Sequence, residues 1–97
     1  MKRFANDMIP GEVFHPSGFI KEEMEAQGKI QADLVRASGV GRSYISQFFK
    51  GKKSINIKLA LALEAVLDIP AEFWIRKQRS YDLYRELIEL RKIKQAS

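Results

Sequence analysis

Residues 31–56 read QADLVRASGVGRSYISQFFKGKKSIN. Two short helical patterns lie in this stretch, separated by Ser38-Gly39-Val40-Gly41. No acidic residue occurs between Asp33 and Glu64, whereas Arg36, Arg42, Lys50, Lys52, Lys53 and Lys58 all fall there. A glycine turn between two short helices, with a basic loop after the second, is the layout that a helix-turn-helix offers to DNA.

The charge of the whole chain has its source in this stretch. Residues 1–30 carry four bases and five acids, residues 31–58 six and one, and residues 59–97 seven and six. The formal net charge of +5 therefore arises in the middle third. A solvated surface usually mixes its signs, and a stripe of one sign suits phosphate attraction. At 97 residues the chain fits one compact domain, 1–97. Its 45% hydrophobic content is enough for a modest core. There is no cysteine, which excludes disulfides and thiolate zinc sites, and the only histidine is His15, which excludes a His-clustered metal site. No metal or other cofactor is expected. No apolar run approaches the roughly 18 residues of a membrane span, and Met1-Lys2-Arg3 leads into Asn6 and Asp7 rather than a signal-peptide core. A cytoplasmic location is expected.

The helical periods predict an all-α fold of five helices. Residues 1–14, with Phe4, Met8, Ile9, Val13 and Phe14 broken by Pro10-Gly11, read as an extended N-terminal arm. Pro16 can open a first helix that carries Ile20 and Met24 on one stripe and stops at Gly28. His15, at its entry, is expected to act only locally. The helix-turn-helix occupies 31–50. Its first helix, 31–38, turns Leu34 and Val35 inward and ends at Gly39. Its second, 42–49, has Ile45, Phe48 and Phe49 at i, i+3 and i+4 as one buried face. Asn56 can cap a fourth helix, IKLALALEAVLDI over 57–69, apolar on nearly every side and so central to the core. Pro70 opens a long C-terminal helix over 71–94. That helix carries two apolar stripes, Trp74, Tyr81, Tyr84 and Ile88 on one and Leu83, Leu87 and Leu90 on the other. One side of a small bundle covers one stripe, and the other is either scattered surface or a partner face, for a second protomer or another protein.

The second helix of the pair leaves Arg42, Ser43, Tyr44 and Gln47 for the groove. Arg42 has the donor fork that suits guanine O6 and N7, and Gln47 can pair bidentately with adenine. Ser43 and Tyr44 can meet base edges or phosphate. Gln31, at a helix start, can hold phosphate, and Lys50, Lys52 and Lys53 can grip the backbone, which adds affinity without sequence information. Glu22, Glu23 and Glu25 line a solvated face with no nucleophile or metal ligand beside them. No catalytic residue is identified and enzyme activity is not expected.

The pattern Gln31-x-x-Leu34-x-x-x-x-Gly39-Val40-x-x-Ser43-x-Ile45-Ser46-x-x-x-x-Gly51-Lys52 resembles the helix-turn-helix of the phage-repressor (XRE) family. The flanks MIPGEVFHPSGFIKEEMEAQG and SINIKLALALEAVLDIPAEFWIRKQRSYDLYR are similar to HigA-type antitoxins of type II toxin–antitoxin modules. The resemblance spans roughly residues 8–90. It implies a dimer that binds a palindromic double-stranded operator, represses its own operon and neutralises a RelE-like (HigB-type) mRNA-cleaving toxin. It also implies base-reading roles for Arg42, Ser43 and Gln47 and phosphate contacts for Gln31 and Lys50. The chain departs from the family pattern at Ile30 and Gly41, where side-chain helix caps are common. A stand-alone repressor of the same fold, without a toxin, is the alternative. A protein-interaction module whose basic helix meets an acidic partner is a more distant one.

Overall fold

The computed structural model describes residues 12–96, and the expected arm residues Phe4, Met8 and Ile9 lie outside them. Five helices follow in order: α1 (Pro16–Ala26), α2 (Gln31–Ser38), α3 (Arg42–Phe49), α4 (Ile57–Leu67) and α5 (Ala71–Ala96), with no strand among the described residues. The fold is all-α and phage-repressor-like, with a long C-terminal helix.

Local chemistry explains the boundaries. Pro16 sits in the first turn of α1, where its missing N–H costs nothing, and His15 Nδ1 accepts the Ser17 N–H at 3.1 Å as the cap. The helix ends at Ala26, where Gly28 and Lys29 donate back to the Glu25 and Met24 carbonyls. The start of α2 has no side-chain cap, because Ile30 offers no acceptor. Asp33 compensates from within the first turn: its carboxylate accepts the Ile30 N–H at 2.8 Å and pairs with Arg36. Gly39 ends α2 at φ 72°, a left-handed conformation that a side chain would strain. Asn56 Oδ1 accepts the Leu59 N–H at 2.8 Å and caps α4 as expected. The reading of α4 out to residue 69 is corrected, because the helix stops at Leu67. Asp68 turns left-handed at φ 60°, and Pro70 disfavours helical backbone at Ile69.

One core joins all five elements. Ile20 and Met24 of α1, Leu34 of α2, Ile45 and Phe48 of α3, Leu59, Ala60, Ala62, Leu63 and Leu67 of α4, and Trp74 of α5 are buried together, with Val40 and Ile55 from the loops. The closest packing is α4 on α2 and on α5, which agrees with the nearly all-round apolar character of α4. Val35 and Phe49 are half-buried at the edge of the cluster.

The long helix starts on this core and runs off it. Trp74 is fully buried, with its indole N–H donating to the Ile69 carbonyl at 3.0 Å and its ring edge-on to Phe73. Trp74 is therefore removed from the candidate partner face, because it has no surface left to offer. Gln78 is the last buried residue of α5 among those described. Tyr81, Tyr84, Leu87 and Ile88 are half-buried, and Leu83 and Leu90 are more than half exposed. Neither apolar stripe stays on the core along its whole length. A 26-residue helix is about 39 Å long, and its free end accounts for the 48 × 27 × 22 Å outline of the molecule.

Candidate nucleic-acid interface

Helix α3 is held from below and presented from above. Ile45 and Phe48 are completely buried, while Arg42 and Ser43 at its first turn are exposed. At eight residues it is about 12 Å long, comparable with the roughly 12 Å width of the B-DNA major groove. Gly41 precedes it with no side-chain cap, so nothing of its own chain covers the first N–H groups from that position. Gln47 is half-buried and donates to Ser43 Oγ at 3.1 Å, one turn back, which aligns the two side chains along one face. Gln31 is exposed in the first turn of α2.

The basic loop after α3 is pinned on several sides. Gly51 at φ 78° lets the chain reverse, with the Gly51 and Lys52 N–H groups returning to the Phe48 and Gln47 carbonyls. A side chain at position 51 would also come within 3.8 Å of the His15 ring. His15 Nε2 donates to the Lys53 carbonyl at 2.9 Å, Tyr44 Oη donates to the Ser54 carbonyl at 2.7 Å, and the Ile55 N–H donates to buried Gln78 Oε1 at 2.8 Å. With the backbone fixed, Lys50, Lys52 and Lys53 are exposed. Such preorganisation lowers the ordering cost of binding.

The electrostatics are one-signed. Asp33 is the only acid in the segment, and its carboxyl is held below the ordinary carboxylate range. The main cause is the Ile30 N–H that it accepts, with a smaller contribution from Arg36 and partial burial acting the other way. Its charge is spent locally. Among the described residues, neither Arg42 nor Lys50, Lys52, Lys53 or Lys58 takes part in an ion pair. An unpaired cationic ridge beside an outward helix is suited to phosphate contact and base readout.

The structure thus brings Arg42, Ser43, Gln47, Lys50, Lys52 and Lys53 onto one helix and its following loop, with Gln31 at the start of the preceding helix. Tyr44 differs from expectation: its hydroxyl proton is committed to Ser54, and its ring lies 5.8 Å from the Lys53 ammonium. It braces the loop. Three contributors escaped the sequence reading. His15 acts across 38 positions of chain as well as capping α1, and Gln78 acts across 23. Arg85 lies over the Tyr81 ring at 5.1 Å and lines a small polar hollow with Lys52, Lys53 and Asp82. No local pattern signals any of the three, since each depends on α5 or the α1 entry folding back over the loop.

A family model described as helix-turn-helix (HTH_3) matches residues 20–74. The chain belongs to the helix-turn-helix family. The matched segment runs from Ile20 inside α1 to Trp74 in the first turn of α5, so the His15 brace and the distal part of α5 lie outside it. No curated protein matches the chain. Among solved structures, it is similar to one from Nostoc punctiforme described as a candidate antidote protein of a plasmid maintenance system. That likeness has a TM-score of 0.75 at 21% identity, over 88% of this chain and 93% of the other. At that identity the likeness concerns the helix-turn-helix fold together with its long C-terminal helix.

Proposed function

We propose that this helix-turn-helix protein is a DNA-binding antitoxin that represses its own operon as a homodimer and neutralises a RelE-like (HigB-type) mRNA-cleaving toxin. The observation that carries the reading is the unpaired basic ridge from Arg42 to Lys53, held outward on a braced loop. Arg42 and Gln47 read base edges, Ser43 supports Gln47, and Gln31, Lys50, Lys52 and Lys53 hold phosphates. A two-fold pair of α3 helices about 34 Å apart meets successive major grooves of a palindromic operator. The protein works in the cytoplasm, without a cofactor and without catalysis.

The toxin role is supported by the description of the Nostoc protein and by an aromatic-walled groove between α1 and α5. That groove, about 520 Å³, is lined by Phe14, Phe19, Tyr81 and Tyr84, with Phe14 78% exposed. Exposed aromatic surface of this kind marks protein contacts. Ile88, half-buried one turn beyond Tyr84, extends the same stripe.

The test is co-expression with the neighbouring reading frame, combined with a gel shift on the chain's own upstream DNA. Co-purification of a small basic partner and a sequence-dependent band support the full reading. A band without any partner leaves the stand-alone repressor. No band on any sequence contradicts DNA binding.

A further inference from the structure

We infer that a backbone phosphate of the duplex seats in the polar hollow between the basic loop and α5, where Arg85 joins Lys52 and Lys53 in holding it. This rests on the DNA-binding reading above and adds to it a contact from the C-terminal helix. The hollow, about 160 Å³, is bounded by Lys52, Lys53 and Ser54 on the loop and by Gln78, Asp82 and Arg85 on α5. Three bases therefore converge on it against one acid, from two elements distant in the chain.

A relay of contacts places Arg85 beside the loop. Its guanidinium lies 5.1 Å from the centre of the Tyr81 ring, Tyr81 meets His15 edge-on at 5.3 Å, and His15 Nε2 donates to the Lys53 carbonyl. From the same helix, buried Gln78 accepts the Ile55 N–H and holds the end of the loop against α5. The contact with Tyr81 attracts the cation to the ring and consumes none of its N–H donors.

The positive charge is not neutralised within the chain. Arg85 is exposed and follows Asp82 by three positions, a spacing that suits an intrahelical ion pair. Among the described residues, however, neither Arg85 nor Lys52 nor Lys53 is ion-paired, and Asp82 Oδ1 accepts the Gln78 amide at 2.9 Å. Like charges gathered at one hollow disfavour one another, and an anion shared among them removes that cost. Arginine offers a planar fork for two phosphate oxygens, and lysine a compact point charge. The hollow shares Lys52 and Lys53 with the ridge that starts at Arg42, so the anion that covers the ridge also reaches the hollow. DNA carries one phosphate per roughly 3.4 Å on each strand, which lets one duplex serve both.

Fluorescence anisotropy of the full chain on its upstream DNA and on a random duplex, across a salt series, tests the contact. Arg85→Gln should weaken both duplexes alike and reduce the salt slope by about 0.9, so that its loss grows about 3.5-fold as salt falls from about 200 to 50 mM. Arg85→Lys keeps the charge and should keep the parent's slope. Asp82→Asn retains an acceptor for the Gln78 amide and should tighten both duplexes, a gain that a merely structural role for this corner would not give. Lys92→Gln removes the same charge near the far end of α5, where Lys92 pairs with Glu89, and should keep the parent's slope. The inference is overturned if Arg85→Gln keeps that slope, if Lys92→Gln loses as much as Arg85→Gln, or if Asp82→Asn fails to tighten either duplex. It is also overturned if Arg85→Gln spares DNA and instead releases a co-purified protein partner. A parent chain that binds neither duplex overturns the DNA-binding reading and this contact with it. A parent that binds while Arg85→Gln is indifferent overturns this contact alone.

Discussion

His15 Nε2 donates to the Lys53 carbonyl at 2.9 Å, which ties the entry of the first helix to the basic loop 38 residues later. The other ring nitrogen is also engaged, since Nδ1 accepts the Ser17 N–H at 3.1 Å and lies 2.8 Å from Ser17 Oγ, whose hydroxyl donates to it. The ring packs on Phe48 and Tyr81 at 5.1 and 5.3 Å. One side chain thus connects α1, α3, α5 and the loop that carries Lys52 and Lys53.

Removing that brace should loosen the loop without unfolding the core. One such hydrogen bond is worth about 0.5–1.5 kcal/mol, so His15→Ala should weaken binding roughly 2- to 12-fold. The loss should be similar on specific and random duplexes, because the lysines of the loop contact phosphate in the proposed complex. Fluorescence anisotropy on both duplexes checks this, and an unchanged affinity on both would show that the brace is dispensable.

Gln78 is the corresponding support from α5. Its buried carbonyl oxygen accepts the Ile55 N–H, and its amide donates to Asp82 Oδ1 at 2.9 Å. Gln78→Leu keeps the volume and strands a buried N–H, which should cost about 1–3 kcal/mol. Urea unfolding should show a lower midpoint with an unchanged slope.

Helices α2 and α3 were legible to the residue because their limits are written locally. Gly39 sits where a left-handed turn is needed, and the Ile45, Phe48 spacing defines a single buried face. The far ends of α4 and α5 were less legible. Asp68 takes the left-handed conformation that aspartate visits far less readily than glycine, so its identity gives only a faint stop signal. Periodicity grouped Trp74 with Tyr81, Tyr84 and Ile88, but it cannot say where along a stripe the core ends. At the site, the outward cations were readable from charge alone. The constraint on Tyr44 and the roles of His15 and Gln78 were not, since they depend on contacts between residues 10 to 38 apart in the chain.

The start of α2 should be acid-sensitive. Asp33 has its carboxyl below the ordinary value of 3.8, chiefly through the Ile30 N–H. A carboxyl whose folded pKa is depressed contributes stability that is complete above its unfolded pKa. That contribution is lost as pH falls through the folded pKa. Asp33→Asn should therefore lower the urea midpoint at neutral pH and leave little difference from the parent at the acid end. A difference that persists unchanged into strong acid would assign the effect to something other than this carboxylate.

The most direct test compares Arg42→Ala with Lys52→Ala on the operator and on a random duplex across a salt series. Arg42→Ala should lose about 1–3 kcal/mol on the operator and little on random DNA, so that specificity relaxes. Lys52→Ala should weaken both duplexes alike and reduce the salt slope by about 0.9. If the two variants behave the same on both duplexes, the ridge does not divide into a base-reading helix and a phosphate-gripping loop, and the assignment of α3 as the reader is wrong.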